Sequence, residues 1–419
     1  MQPAAPPFCR EHAAITTTPP AMTAAHSPVP PQRDSRWLML GLLFACRTGL
    51  GYQFQTLGSV SDPLIAQFGF RYTEIGTLIG LFMLPGLVLA LPAGYAGRYL
   101  SDRTLAAIGL LCLAAGGGIA ALAPGFGMLA FGRIAAGIGF VFSTLYFTKM
   151  VVDWFAGHQL ATAMGILVMS WPFGIAMGQI GHVWIATHFD WRTAFGVAAA
   201  YCAVGAVAVT LLYRAPPHAK PPAASGPAGL PRTELVLTLL AATVWGLFNA
   251  GYIVYLSFAP RVLMAGGYGA TEAAAVISIA SWVMIISSII CGQIADRTGR
   301  HDLILYICCA AAALSLLLLP HTAWAVMLAL AFGLLGAAPA GIIMALTGEA
   351  MSAHRRAFGM GVFLSFFFVL VSAAPPFAGW LFDRGGDPYW PIMFAASLFA
   401  GAALVNALFR VAKRRLAPA

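Results

Sequence analysis

The chain has 419 residues, 60% of them hydrophobic and 9% charged, with a formal net charge of +9. A water-soluble chain of this length would hold roughly 25% charged residues, so a soluble globular core is excluded. The basic residues are scattered through short segments between apolar runs rather than gathered in one domain, which excludes a nucleic-acid-binding module. The apolar runs are repeatedly about 20 residues long, the length that crosses a bilayer as a helix.

Residues 1–35 are rich in Pro, Ala, Thr and Ser and are expected to form a disordered cytoplasmic tail. No apolar stretch in them is long enough for a signal peptide, and Met22 would serve as a start equally well. Six spans follow, at 37–60, 74–96, 104–123, 126–149, 160–186 and 191–213. Residues 214–232 are a proline-rich polar linker. Six more spans are expected at 234–258, 272–294, 303–320, 323–348, 357–382 and 390–410. The organisation is therefore a bundle over 36–213, the linker, a second bundle over 233–411 and a basic cytoplasmic tail over 412–419. Pro85, Pro172, Pro339, Pro375 and Pro376 fall inside spans, where a bundle can re-satisfy the freed backbone groups.

Both ends are assigned to the cytoplasm by the positions of Lys and Arg. With that parity, seventeen of the 23 basic residues lie inside, and only Arg71, Arg192, Arg261 and Arg384 lie outside. Arg47 and Arg133 fall within spans. The seven cysteines (Cys9, Cys46, Cys112, Cys202, Cys291, Cys308 and Cys309) are odd in number and show no CxxC spacing, so neither a disulfide framework nor a metal site is indicated. No GxxxxGK[ST], HExxH or GxSxG pattern occurs, and neither ATP-driven pumping nor common hydrolase chemistry has visible machinery. No cofactor is expected, and the chain is read as a transport protein rather than an enzyme.

The two groups of six spans carry an internal repeat. Thr73-Glu74 matches Thr271-Glu272 and Gly94 matches Gly292, both at an offset of 198 residues. Pro63 matches Pro260 at 197, and Arg133-x-x-x-Gly137 matches Phe332-x-x-x-Gly336 at 199. After the eighth span stands Gly292-Gln-Ile-Ala-Asp296-Arg297-Thr-Gly299-Arg300-His301. This stretch, the repeat and the central linker resemble the major facilitator superfamily, whose signature is Gly-x-x-x-Asp-Arg-x-Gly-Arg-Arg/Lys. Arg133-x-x-x-Gly137-x-Gly139 is similar to the superfamily's motif in the fourth span. The region from Arg47 through the second span looks like the cyanate/nitroimidazole permease branch. The resemblance covers residues 36–411 and implies an all-α membrane fold of twelve helices in two pseudo-symmetric bundles.

Asp296 and Arg300 are four apart and would share a helical face and pair. The resemblance implies that Gly292, Asp296, Arg297, Gly299 and Arg300 help close the cytoplasmic side, a carboxylate there complementing a helix N-terminus. The first-half copy reverses the charges, with Arg98 aligned to Asp296 and Asp102 to Arg300, and these two are expected to pair locally. Arg47 lies about 16 Å into the first span, near the bilayer midplane. No Asp or Glu falls well inside any span. A central cavity and an anionic substrate would relieve the cost of that charge; the alternative is a structural Arg held by backbone carbonyls. Gln55, Trp171, Trp245, Asn249 and Tyr252 are further candidate substrate contacts, with packing as the competing role for the aromatics. Arg133 is open between structural and functional roles. His182 is the one histidine inside a span and a candidate proton carrier, or else merely solvated near the outer end. The superfamily's Gly-Pro antiporter motif is replaced by Trp171-Pro172-Phe-Gly174, which weighs against proton-driven drug export. The expected function is alternating-access uptake of a small anionic or polar solute, with efflux of a hydrophobic or zwitterionic compound, or a transporter-like receptor, as the alternatives. The expected partners are the solute, the lipid bilayer and a coupling proton; the expected location is a plasma membrane, a bacterial inner membrane, with the chain acting as a monomer.

Overall fold

The computed structural model describes residues 32–90, 92–155, 159–216, 229–321, 323–352 and 355–416. All regular structure among them is helical. The first half contains α1 (Gln32–Ser59), α2 (Ser61–Phe68), α3 (Tyr72–Met83), α4 (Pro85–Leu89), α5 (Pro92–Ala96), α6 (Asp102–Ala121), α7 (Phe126–Phe155), α8 (Leu160–His188) and α9 (Trp191–Leu212). The second contains α10 (Arg232–Ala265), α11 (Ala270–Thr298), α12 (His301–Leu318), α13 (Ala325–Ala331), α14 (Ala340–Ala350), α15 (Arg356–Gly385) and α16 (Tyr389–Leu416). The expected disordered tail lies outside the described residues up to residue 31, and its last four residues belong to α1. Most of the expected linker, residues 217–228, also lies outside them.

Three sequence boundaries need correction. The expected basic tail from 412 instead continues α16 to Leu416, where Lys413, Arg414 and Arg415 complement the negative end of the helix. The second span is interrupted: Leu84 keeps helical dihedrals, but Pro85 removes a donor and starts α4 at its first position. The tenth span is interrupted by a wide π-turn over Phe332–Gly336, closed by Ala337 N–H to Phe332 carbonyl at 2.8 Å, before Pro339 restarts the helix as α14. Pro172, Pro260, Pro375 and Pro376 stay within continuous helices.

Eleven helices among the described residues are long and apolar enough to cross a membrane. α1 has the length, but it carries Arg47, Thr48, Gln53, Gln55 and Thr56, all buried. In the first half α6 packs on α7 and α9, and α1 on α8 and α9; in the second α10 packs on α15 and α16. The α1–α8 contact is close because glycines face carbonyls. A Cβ at Gly51 would lie 2.3 Å from the Trp171 oxygen, and one at Gly174 2.2 Å from the Thr48 oxygen.

The internal repeat is visible in contacts. Glu74 accepts the Arg71 N–H at 2.8 Å and Glu272 the Gly269 N–H at 3.4 Å, so each caps the start of its half's second span. Arg133 on α7 donates to the α1 carbonyls of Gln53 and Phe54 at 3.2 and 3.3 Å. Its counterpart Phe332 stacks on Tyr255 and Tyr252 of α10, with ring centroids 4.2 and 6.4 Å away. The same crossing is held by hydrogen bonds in one half and by ring contacts in the other. Below, the linker side is the face bearing the end of α9 and the start of α10, and the far side is the opposite face.

Candidate functional site

α1 runs from the linker side to the far side and places Arg47 halfway. The guanidinium is buried, and its Nη1 lies 2.9 Å from the Leu167 oxygen, 3.3 Å from the Val168 oxygen and 2.9 Å from Ser170 Oγ, all on α8. The sequence explains why α8 can receive it. Pro172 has no N–H, so the Val168 carbonyl lacks its usual helical donor, and Arg47 supplies one. Arg47 Nε is buried without a hydrogen-bond partner among the described residues. The carbonyls satisfy donors but neutralise no charge, so the site keeps its positive sign. Val168 is half exposed and three residues from Trp171, hence on the same side of α8.

An aromatic run crosses from one half to the other at this level. Trp171 meets Phe140 at 5.1 Å, Phe140 meets Phe368 at 6.5 Å, Phe368 meets Phe367 at 5.1 Å, and Phe367 meets Trp245 at 6.2 Å. Trp171, Phe140, Phe367 and Trp245 are only partly buried. Asn249, also partly buried, turns its amide onto the Trp245 carbonyl at 2.8 Å. Tyr252 stands apart: it is buried within the second half, and its hydroxyl meets Ser281 Oγ at 2.6 Å.

Toward the far side, a polar layer fills the junction of α1, α8 and α10. Gln55 donates to Ser59 Oγ at 3.3 Å, and Ser59 to the Gly178 carbonyl at 3.2 Å. Gln179 donates across to the Leu256 carbonyl of the second half at 3.3 Å. His182 belongs to this layer, which corrects the solvated alternative. It is fully buried against the Tyr52 ring at 4.1 Å, with Nε2 3.5 Å from Thr56 Oγ1. The Gly174–Gly178–His182 face of α8 is therefore a seam packed on α1.

Beyond this layer the halves are tied at the far side. Asp383, at the end of α15, accepts from the N–H groups of Tyr72 and Thr73 at 2.9 and 2.8 Å and from Thr73 Oγ1 at 2.5 Å. Arg261 of α10 pairs with Asp62, donates to Tyr72 Oη at 2.7 Å and to Ser61 Oγ at 3.1 Å, and covers the Tyr72 ring. Burial pushes the Asp62 carboxyl above its usual value, and Arg261 opposes that shift. None of these far-side contacts was anticipated from sequence, although Gly76-x-x-x-Gly80 is a legible close-packing signal.

The linker side differs. Lys149 pairs with Asp102 and with Asp153, within the first half. Arg410 bonds Asp302 and Glu349, and Lys413 bonds Glu349, within the second. The polar contacts between halves found among the described residues lie in the far half. Two expected pairs are corrected here. Asp102 is held by Lys149 rather than by Arg98, whose guanidinium lies over the Tyr95 ring at 4.9 Å. Asp296 meets His301 Nε2 at 3.4 Å rather than Arg300, because the helix ends at Thr298 and Gly299, at φ 66°, turns the chain off the helical face. The Asp296 side chain is 83% exposed, and a Cβ at Gly292 would meet nothing within 4 Å. Arg297 lies in the last turn of α11. Arg133 is fully used in structure, with Nε donating to the Leu78 carbonyl at 3.2 Å in addition to its two α1 bonds.

The family profile described as Major Facilitator Superfamily matches residues 43–342 and 262–419. A curated relative, the vacuolar basic amino acid transporter 5 of Saccharomyces cerevisiae, is 29% identical over 161 residues, which cover 38% of this chain and 27% of that protein. The chain thus matches about a quarter of the length of this relative. Among solved structures, a bacterial homologue of the human lysosomal transporter Spinster, inward-facing and unoccupied, superposes with a TM-score of 0.69 at 17% identity, over 92% of this chain and 98% of that one. The occupied inward-facing form gives 0.66 at 17% identity, over 92% and 97%.

Proposed function

The chain belongs to the major facilitator superfamily of membrane transporters, and we propose that it is a secondary transporter that takes up a small organic anion by alternating access. The observation that carries the reading is the one-sided joining of the halves: Asp383, Arg261 and Gln179 tie them in the far half. Such an arrangement is one end state of a cycle in which two bundles rock about a midplane site. With the linker side cytoplasmic, as the distribution of Lys and Arg supports, this state faces inward. A proton is the proposed coupling ion and His182 its proposed carrier.

The proposed solute site lies between Arg47 and the aromatic run. Arg47 supplies an uncompensated positive charge, while Trp171, Phe140, Phe367 and Trp245 favour an apolar or aromatic body. Gln55 and Asn249 are proposed as secondary polar contacts, and Tyr252 as a support behind them. The yeast relative is named for basic amino acids. That chemistry fits less well here, because all fourteen acidic residues of the sequence lie at helix ends or outside spans, leaving no carboxylate for a cationic side chain.

The test is flux into proteoliposomes, with panels of aromatic and aliphatic carboxylates, zwitterions and cations. Uptake of carboxylates that falls at least tenfold in Arg47→Gln is expected, on the scale of one charge-assisted bond. Uptake of neutral or zwitterionic compounds indifferent to Arg47→Gln would transfer the reading to the hydrophobic efflux class.

A further inference from the structure

The pattern that ends α11, Gly292-x-x-x-Asp296-Arg297-x-Gly299, is spelled a second time at the end of α15. There it reads Gly379-x-x-x-Asp383-Arg384-x-Gly386. The two copies share backbone form as well as residues. Each helix is closed by its last glycine in the left-handed region, with φ of 66° at Gly299 and 67° at Gly386. They sit on opposite faces of the molecule, because α11 runs toward the linker side and α15 toward the far side. Each belongs to a helix that packs across the interface between halves, α15 on α3 and α11 on α8.

In this structure the α15 copy is docked. A Cβ at Gly379 would lie 2.1 Å from the Tyr72 carbonyl oxygen, so the glycine permits backbone contact with the start of α3. Four residues on, Asp383 receives two backbone N–H groups and the Thr73 hydroxyl from that same turn. The Phe382 ring lies 3.7 Å from the Tyr72 ring. A carboxylate at the first turn of a helix complements both its orphan donors and its dipole. The α11 copy, on the side where no polar contact joins the halves among the described residues, has Gly292 in open space and Asp296 exposed.

We propose that Asp383, with Gly379 and Thr73, is a far-side latch built from a second copy of the α11 motif, and that the two copies engage in alternation, one per end state. The proposal rests on the alternating-access reading. Its test needs no solute, so failure of the latch and failure of transport are told apart.

Hydrogen exchange is measured by mass spectrometry on the full chain in lipid nanodiscs. Asp383→Asn should speed exchange at the start of α3 by roughly tenfold to a hundredfold, the worth of bonds to a charged acceptor. It should at the same time slow exchange at the linker-side ends of α5 and α11, as the population moves to the opposite state. Asp296→Asn should shift both regions in the opposite sense. Thr73→Val, which deletes the hydroxyl donor alone, should give a weaker version of Asp383→Asn. Asp387→Asn is the control: Asp387 lies just past the end of α15, four residues beyond Asp383, but accepts the Tyr389 N–H at the start of α16, so its effect should stay local. A change confined to the start of α3 in Asp383→Asn, or the same sense of shift in Asp296→Asn, would overturn the proposal. Should Asp383→Asn not fold, the Thr73→Val result decides on the same criterion.

Discussion

Gly76→Ala is the sharpest mechanical test of the far-side closure. Gly76 and Gly80 lie one turn apart on α3 and face the α15 backbone. An added Cβ at Gly76 would stand 2.1 Å from the Pro375 oxygen, and one at Gly80 2.2 Å from the Ser372 oxygen. Ordinary contact begins at 3.4 Å, so at position 76 the helices must separate by about 1.3 Å. The obstruction is backbone within a helix, which cannot rotate away as a side chain can. Overpacking of this kind costs about 1–3 kcal/mol. Because the strain exists only where α3 and α15 are closed, it falls on one end state and shifts the balance between states by roughly 5- to 150-fold. The readout is hydrogen exchange across α2, the start of α3 and the end of α15, which should rise by that factor without loss of overall helicity. Gly118→Ala supplies the control, since a Cβ there meets nothing within 4 Å. Far-side exchange within twofold of wild type in Gly76→Ala, or an equal change in Gly118→Ala, would refute the reasoning.

Arg133 should rank its replacements in an unusual order. Methionine removes three donations to carbonyls on two helices but recovers the cost of burying a cation, whereas lysine keeps the charge and cannot span all three acceptors. Thermal midpoints should therefore fall in the order Arg133, Met, Lys, with Met lower by about 1–3 kcal/mol of stability; Lys equal to or above Met would count against the account. Asp102→Asn should cost only about 0.5 kcal/mol, because the partly exposed Lys149 retains Asp153; a larger loss in denaturation would point to a role beyond this pair. His182→Gln should abolish the dependence of carboxylate uptake on a pH gradient while leaving exchange down a solute gradient intact. Persistence of gradient-driven uptake would remove His182 as carrier.

The helical architecture was legible because bilayer crossing leaves few options: apolar runs of membrane length mark the spans, and matched residues such as Glu74 and Glu272, which cap equivalent helices, mark the repeat. What escaped the sequence was pairing across space. Asp102 and Arg98 are four apart and of opposite charge, yet Lys149, 47 positions on, takes Asp102. Local spacing predicts a pair only where the helix continues, and Gly299 ends it between Asp296 and Arg300. Arg47 was recognisable as a buried charge. Its ties to α8 depended on connecting Pro172 to the carbonyl it leaves open, a step that needs to know which helix lies opposite. Asp383 was readable in principle, since Gly379, Asp383, Arg384 and Gly386 repeat the spacing of Gly292, Asp296, Arg297 and Gly299, but it falls one residue past the expected span of 357–382 and reads there as a loop residue.

The two halves keep one geometry and fill it with different chemistry. Position 133 holds α7 to α1 by hydrogen bonds, while position 332 holds its helix to α10 by stacking on Tyr255. The same contrast runs through the central helices: α1 buries Arg47, Gln53, Gln55 and Thr56, while α10 buries Phe248, Tyr252, Tyr255 and Phe258. At the proposed site the contrast is carried by Arg47 and Gln55 on one side, which would orient a solute by directional bonds, and by the partly buried Trp245 and Phe367 on the other, which would tolerate variation in its body. Under the proposed function, substitutions along α1 should therefore change which head group is accepted. Substitutions at Trp245 and Phe367 should change which bodies are accepted and leave the head-group preference intact. Competition assays that vary head and body separately distinguish the two, and a Trp245→Ala chain that loses its preference for carboxylates would show that the division of labour between the halves is not real.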